Sequence, residues 1–222
     1  MHSSKTAAKP MTHAKLAIKT FCIWQQWLLL LLLAALPLAY LPLAHIGKRT
    51  IFQPPASIEI GDFIYRMGSD ADSELIAHLS GFDYSHIGMV VQTQPIRIIH
   101  ATTDDDANKA NQVISSSFAE FTQKAKGYAI TRAHFLTQAE KTTLAHALEQ
   151  RLGEAFVLLA KGEKNLYCTT LLEREIQKLR PFSPSYQHID VPVFRGKYLF
   201  PKSFFHYPDM KIIATSKEHE LQ

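Results

Sequence analysis

The sequence predicts one α+β domain, an antiparallel sheet packed against helices, preceded by a single N-terminal transmembrane helix. Three features of the 222-residue chain carry that prediction. Between Lys19 and Lys48, 28 residues contain no Asp, Glu, Lys or Arg, and they centre on "WLLLLLLAALPLAYLPLA". Two runs rich in Ile and Val, "SHIGMVVQ" and "IRIIHA", flank the turn "TQP" at hairpin spacing. Capping-box pairs, Ser117 with Glu120 and Thr137 with Glu140, mark helix starts among the strand-like runs. With 46% hydrophobic residues, the chain has enough apolar material for one ordinary core.

The apolar segment, residues 21–46, exceeds the roughly 20 residues that span a bilayer as a helix. Lys5, Lys9, Lys15 and Lys19 precede it without an acidic residue, so residues 1–20 read as a basic tail held on the cytoplasmic side. A cleaved signal peptide is the competing reading. The "PLA" triplets before Tyr40 and His45 put proline where a cleavage site wants a small residue, which favours an uncleaved anchor. Cys22 lies before the apolar run, where lipidation is not expected.

The net charge of +4 reflects this topology signal, because the first 49 residues hold six basic and no acidic residues. The remainder holds 18 basic and 20 acidic residues and no basic-aromatic stripe, so nucleic acid is not expected as a partner. Only two cysteines occur, and Cys168 alone lies beyond the anchor, without a partner for an intramolecular disulfide.

After the short linker "QPPAS", "SIEIGDFIYRMG" reads as the first strand, interrupted at Gly61 and Asp62 by a turn or bulge. "SDADSELIAHLSG" reads as a short helix closed by Gly81, with His78 on its surface. The hairpin follows, then "TTDDDANKAN", a polar loop whose aspartates lack the spacing of a calcium loop. "SFAEFTQKA" is a helix, "GYAITRAH" a strand, and "KTTLAHALEQRLG" a helix closed by Gly153, with His146 on its surface. In "NLYCTTLLEREIQKLRP", Leu171, Leu172, Ile176 and Leu179 recur at helical spacing and Pro181 stops the helix, so Cys168 falls at its start. The aromatic, proline-punctuated tail reads as strand and loop against the sheet. The domain is expected over 57–213, with a flexible tail over 214–222.

A helix N-terminus favours an anion and lowers the pKa of a thiol placed there, which raises Cys168 as a candidate nucleophile. A nucleophilic thiol needs a base, and a third group to orient that base. His86 opens one predicted strand and His100 closes the next, 14 residues on, so an antiparallel hairpin brings both to one end of the sheet. The alternatives are a buried, inert cysteine with core histidines, or a zinc site made of Cys168, His86 and His100.

Taken in order, "GDFIY", "SHIGMVV", "IIHA" and "LYCTTLL" resemble the circularly permuted papain-like cysteine hydrolases of the YiiX/YaeF type, relatives of the NlpC-type peptidases and of lecithin retinol acyltransferase. The resemblance spans about residues 58–210, and the cysteine follows the histidine strands, which is the permuted order. It implies a permuted papain-like fold, with Cys168 as nucleophile, His86 as base and His100 as the third member. It also implies Tyr167, Thr169 and Asp62 at the substrate, no metal and no cofactor, with Ser85 and Gly88 structural. The implied activity is an amidase or peptidase passing through a thioester, acting on a cell-wall peptide or an acyl lipid. An acyltransferase or thioesterase acting on lipids, or a binding module that keeps the fold without turnover, are the alternatives. The expected location is the bacterial inner membrane, single-pass, with the domain on the periplasmic side.

Overall fold

Consecutive large apolar residues along "DFIYRMG" bury both faces of a strand at the centre of the sheet, β1 (Asp62–Gly68). The computed structural model describes residues 51–216 except Val193. Around β1 run α1 (Ala71–Ser80), β2 (His86–Thr93), β3 (Ile96–Thr102), β4 (Gln112–Ser116), α2 (Phe118–Thr122), β5 (Ala125–Ala133), α3 (Gln138–Glu149), α4 (Cys168–Gln177), β6 (Gln187–Asp190), β7 (Arg195–Tyr198), α5 (Pro201–Phe205) and β8 (Met210–Thr215). Six strands form one antiparallel sheet in the order β4-β3-β2-β1-β5-β8, and β6 and β7 form a separate two-stranded ribbon.

Strand periodicity divides the core into two layers. Phe63, Tyr65, Ile87, Met89, Ile99 and Ala101 join Leu144 and Leu148 of α3 and Leu171, Leu172 and Ile176 of α4. The alternate residues Ile64, Val90 and Ile98 meet Phe118 and Phe121 of α2 on the opposite face. Gly88 is required by close approach: a Cβ there would stand 2.7 Å from Ile98 Cγ2 and 3.1 Å from the Phe121 ring. Gly61 turns the chain into β1 at φ +89°, a conformation that side chains with a Cβ disfavour.

The local signals for helices hold in detail. Thr137 Oγ1 accepts from Glu140 N at 3.2 Å, and Glu140 returns the bond to Thr137 N at 2.8 Å. Ser117 and Glu120 make the same box before α2. Helix α3 ends at Glu149, four residues before Gly153, whose amide instead donates to Val113 O. Directly after the predicted polar loop, the residues QVISS, to which the sequence reading gives no element, form β4 and pair with β3.

Both expected domain limits move outward. Tyr128 Oη donates to Gln53 O and Phe52 packs edge-on to the Tyr128 ring, so the fold begins before residue 57. Ala214 and Thr215 belong to β8, and Ser216 N donates to Tyr128 O, so the expected tail over 214–222 begins too early. The basic tail (1–20) and the anchor or signal segment (21–46) lie outside the described residues. Among the described residues no helix is long and apolar enough to cross a membrane.

Candidate active site

Four adjacent strands contribute a row of polar side chains across one end of the sheet. In the β1–β2 register Arg66 stands opposite His86, and His100 on β3 lies next along the sheet. His86 Nε2 and His100 Nδ1 are 2.9 Å apart, and His100 Nε2 lies 3.0 Å from Ser116 Oγ on β4. Both imidazoles pack on the Phe121 ring, which puts them on the α2 side of the sheet. His100 is fully buried and His86 partly so.

From the loop after β3, Asp105 folds over the row. Its carboxylate takes two bonds from Arg66 Nη2, at 2.8 and 2.7 Å, and lies 3.7 Å from His100 Nδ1. Arg66 also donates from Nη1 to Phe121 O at 2.8 Å, and its guanidinium stacks over the Phe121 ring. Removing one partner of such a buried pair typically costs about 3–5 kcal/mol, because the other charge is stranded.

The electrostatics keep both imidazoles neutral. Burial, with help from Arg66 and the neighbouring imidazole, drives His86 well below its usual value. Burial and Arg66 take His100 down to about 3, against an opposing pull from Asp105.

Cys168 is the first residue of α4 and is buried within the layer on the α3 and α4 side. Its thiol meets the start of β2 at the backbone N–H of Ile87, the residue after His86. The hydrogen bonds that bear on this thiol come from the backbone of Ile87, Thr169 and Cys168 itself and not from the His86 ring. The helix start does not make this thiol acidic, contrary to the expectation from its position. Burial raises it to about 11, outweighing the amides of Ile87, Thr169 and Cys168 itself and the field of Arg66. Desolvation of an anion is the larger effect here.

The three residues expected at the substrate spend their polar groups inside the fold. Tyr167 Oη accepts from Leu199 N at 3.0 Å, and Thr169 Oγ1 donates to Leu199 O at 2.7 Å, so together they tie the start of α4 to the segment after β7. Asp62 is fully buried, held by Arg132 Nε and Nη2 at 2.8 Å each, and accepts from Glu59 N. Each therefore makes a hydrogen bond or ion pair inside the fold. Ser85 and Gly88 are structural, as expected: Ser85 N donates to Arg66 O, and Gly88 admits the His100 side chain.

Arg66, Asp105 and Ser116 complete the row without having been singled out from the sequence. A charged residue inside the apolar run "FIYRMG" was the readable signal for Arg66. Asp105 had none, being one of three consecutive aspartates. His86, His100 and Asp105 bring one donor atom each within 4.8 Å of one another, a donor set suited to a divalent transition metal. As folded it does not fit one. Arg66 holds both oxygens of Asp105, and the two imidazole nitrogens share a proton with each other.

No family model matches the chain, and no curated protein matches it. Among solved structures, the crystal structure of metalloprotein yiiX from Escherichia coli O157:H7, DUF1105, superposes with a TM-score of 0.59 at 18% identity, over 73% of this chain and 98% of that one. The described domain therefore has a YiiX-like α+β fold.

Proposed function

We propose that this chain is a cysteine hydrolase of the permuted papain-like type, with Cys168 as nucleophile, His86 as base and His100 as the group that orients the base. The observation that carries this reading is the hydrogen-bonded series Ser116–His100–His86, which ends one residue from the amide at the Cys168 thiol. If His100 donates from Nε2 to Ser116, its Nδ1 accepts from His86 Nε2–H. The lone pair of His86 Nδ1 is then the one left to act.

Because the resting thiol is protonated and His86 is neutral, the proton moves during attack rather than before it. Cys168 Sγ adds to the substrate carbonyl while His86 takes its proton, and backbone N–H groups at the start of α4 receive the oxyanion. His86 then gives the proton to the leaving amine or alcohol. Water, deprotonated by the same imidazole, resolves the thioester and frees Cys168. In the resting fold the two imidazoles pack on the α2 side of the sheet and Cys168 on the α3 and α4 side, so this reading requires the His86 ring to turn at the start of β2 and reach the thiol when substrate binds.

The substrate class is an amide or ester at the cell envelope, either a cell-wall peptide or an acyl lipid. An anchor over 21–46, single-pass in the inner membrane with the domain on the periplasmic side, keeps the site beside lipid. Full-length protein incubated with purified muropeptides and, separately, with N-acyl lipids should release product from one of them by mass spectrometry, and Cys168→Ala should release none. Cleavage of neither, or turnover surviving in Cys168→Ala, overturns the assignment.

A second reading, a metal-dependent protein, draws on the His86, His100 and Asp105 donor set and on the word metalloprotein in the name of the yiiX structure. The Arg66–Asp105 pair speaks against it, and no step above needs a metal.

A further inference from the structure

We propose that Arg66 is the resident cation of the polar row, and that by holding both oxygens of Asp105 it keeps divalent metals out of the His86, His100 and Asp105 donor set. Its placement is tightly determined. Register puts it opposite His86, Nη1 is fixed by Phe121 O, Nη2 by Asp105, and the guanidinium plane by the Phe121 ring. The side chain is 9% exposed, and its Nε is buried without a hydrogen-bond partner. A neutral residue at this position would avoid that cost, which points to the positive charge as what Arg66 supplies.

The carboxylate is the only anion of the three donors. With Arg66 in place its charge is neutralised, and a dication entering between the imidazoles would lie against a guanidinium in a buried setting, where like charges repel strongly. Without Arg66, the same three side chains present two imidazoles and a free carboxylate, a ligand set that divalent transition metals accept. A metal drawing on His86 and His100 would withdraw from service the pair that the hydrolytic reading uses. Exclusion of metal is nevertheless a property of the row itself and does not depend on whether Cys168 turns over.

The test is Co²⁺ titration of chelator-treated full-length protein, read by visible d–d absorption and by metal analysis after desalting. Wild type and Arg66→Lys, which retains the charge, should take up no stoichiometric ion. Arg66→Met should retain one equivalent after desalting, a gain over wild type of at least about 10–100-fold in affinity, the size of effect that groups beside metal ligands have. That equivalent should be lost in Arg66→Met/Asp105→Asn. Wild type binding one equivalent that His100→Ala removes would overturn the proposal. So would Arg66→Met binding none, including the case in which it fails to fold both with and without Co²⁺. Loss of turnover in any variant does not enter the readout, so failure of the hydrolase reading is distinguishable from failure of this one.

Discussion

Helices α3 and α4 begin in opposite ways. The start of α3 is exposed and closed on itself, with Thr137 and Glu140 satisfying each other's backbone amides. The start of α4 is buried, and its N-cap Tyr167 donates its amide to Thr170 Oγ1. There the amides of the first turn face a cysteine thiol and not a capping oxygen. A capped start serves stability alone, at about 1 kcal/mol. An uncapped start next to a strand edge keeps its donors for charge that develops elsewhere, which is what an oxyanion needs.

The comparison breaks most visibly at His86. If the start of α4 is a reaction centre, His86→Ala should lower turnover by roughly 10²–10⁴-fold, the usual contribution of a general base. Its far-ultraviolet circular dichroism should stay unchanged. Equal rates in the two proteins would make α4 as inert as α3.

A smaller effect comes from the buried thiol. Because the folded protein raises Cys168 above its value in the unfolded chain, the stabilisation is complete below about pH 9 and is lost as pH rises through about 11. The stabilisation lost is roughly 3 kcal/mol. Chemical denaturation of wild type and Cys168→Ala between pH 8 and 11 should show the gap between them shrinking with pH. A constant gap would mean that the thiol titrates alike in both states.

The smallest effect sharpens the other half of the comparison. Thr137→Ala should cost about 1 kcal/mol in denaturant melts and leave the rate of alkylation of Cys168 by iodoacetamide untouched. A change in that rate would show the two helix starts to be coupled.

Much of this was legible because it is local. Capping boxes, the Ile and Val alternation of the hairpin and the apolar face of α4 are all decided within about ten residues of sequence, and they placed Cys168 at a helix start. The hairpin likewise placed His86 and His100 at one end of the sheet. Long-range partners were not legible. Tyr167 and Thr169 looked available, yet they are claimed by Leu199, about 30 residues later. Asp62 is claimed by Arg132, 70 residues away. β4 is not legible because its five residues, QVISS, lie between the polar loop and the capping box at Ser117 and are too few to show a period of their own.

What the residues alone determine is the inventory and the local frame: one cysteine after the apolar segment, two histidines across a turn, helix starts and strand runs. Tertiary structure alone decides protonation and partnership. Burial makes Cys168 a weak acid where its helix position argues for a strong one, because removing an anion from water outweighs a few amide dipoles. Only the folding of the loop after β3 brings Asp105 to Arg66, and with it the charge balance around His86 and His100.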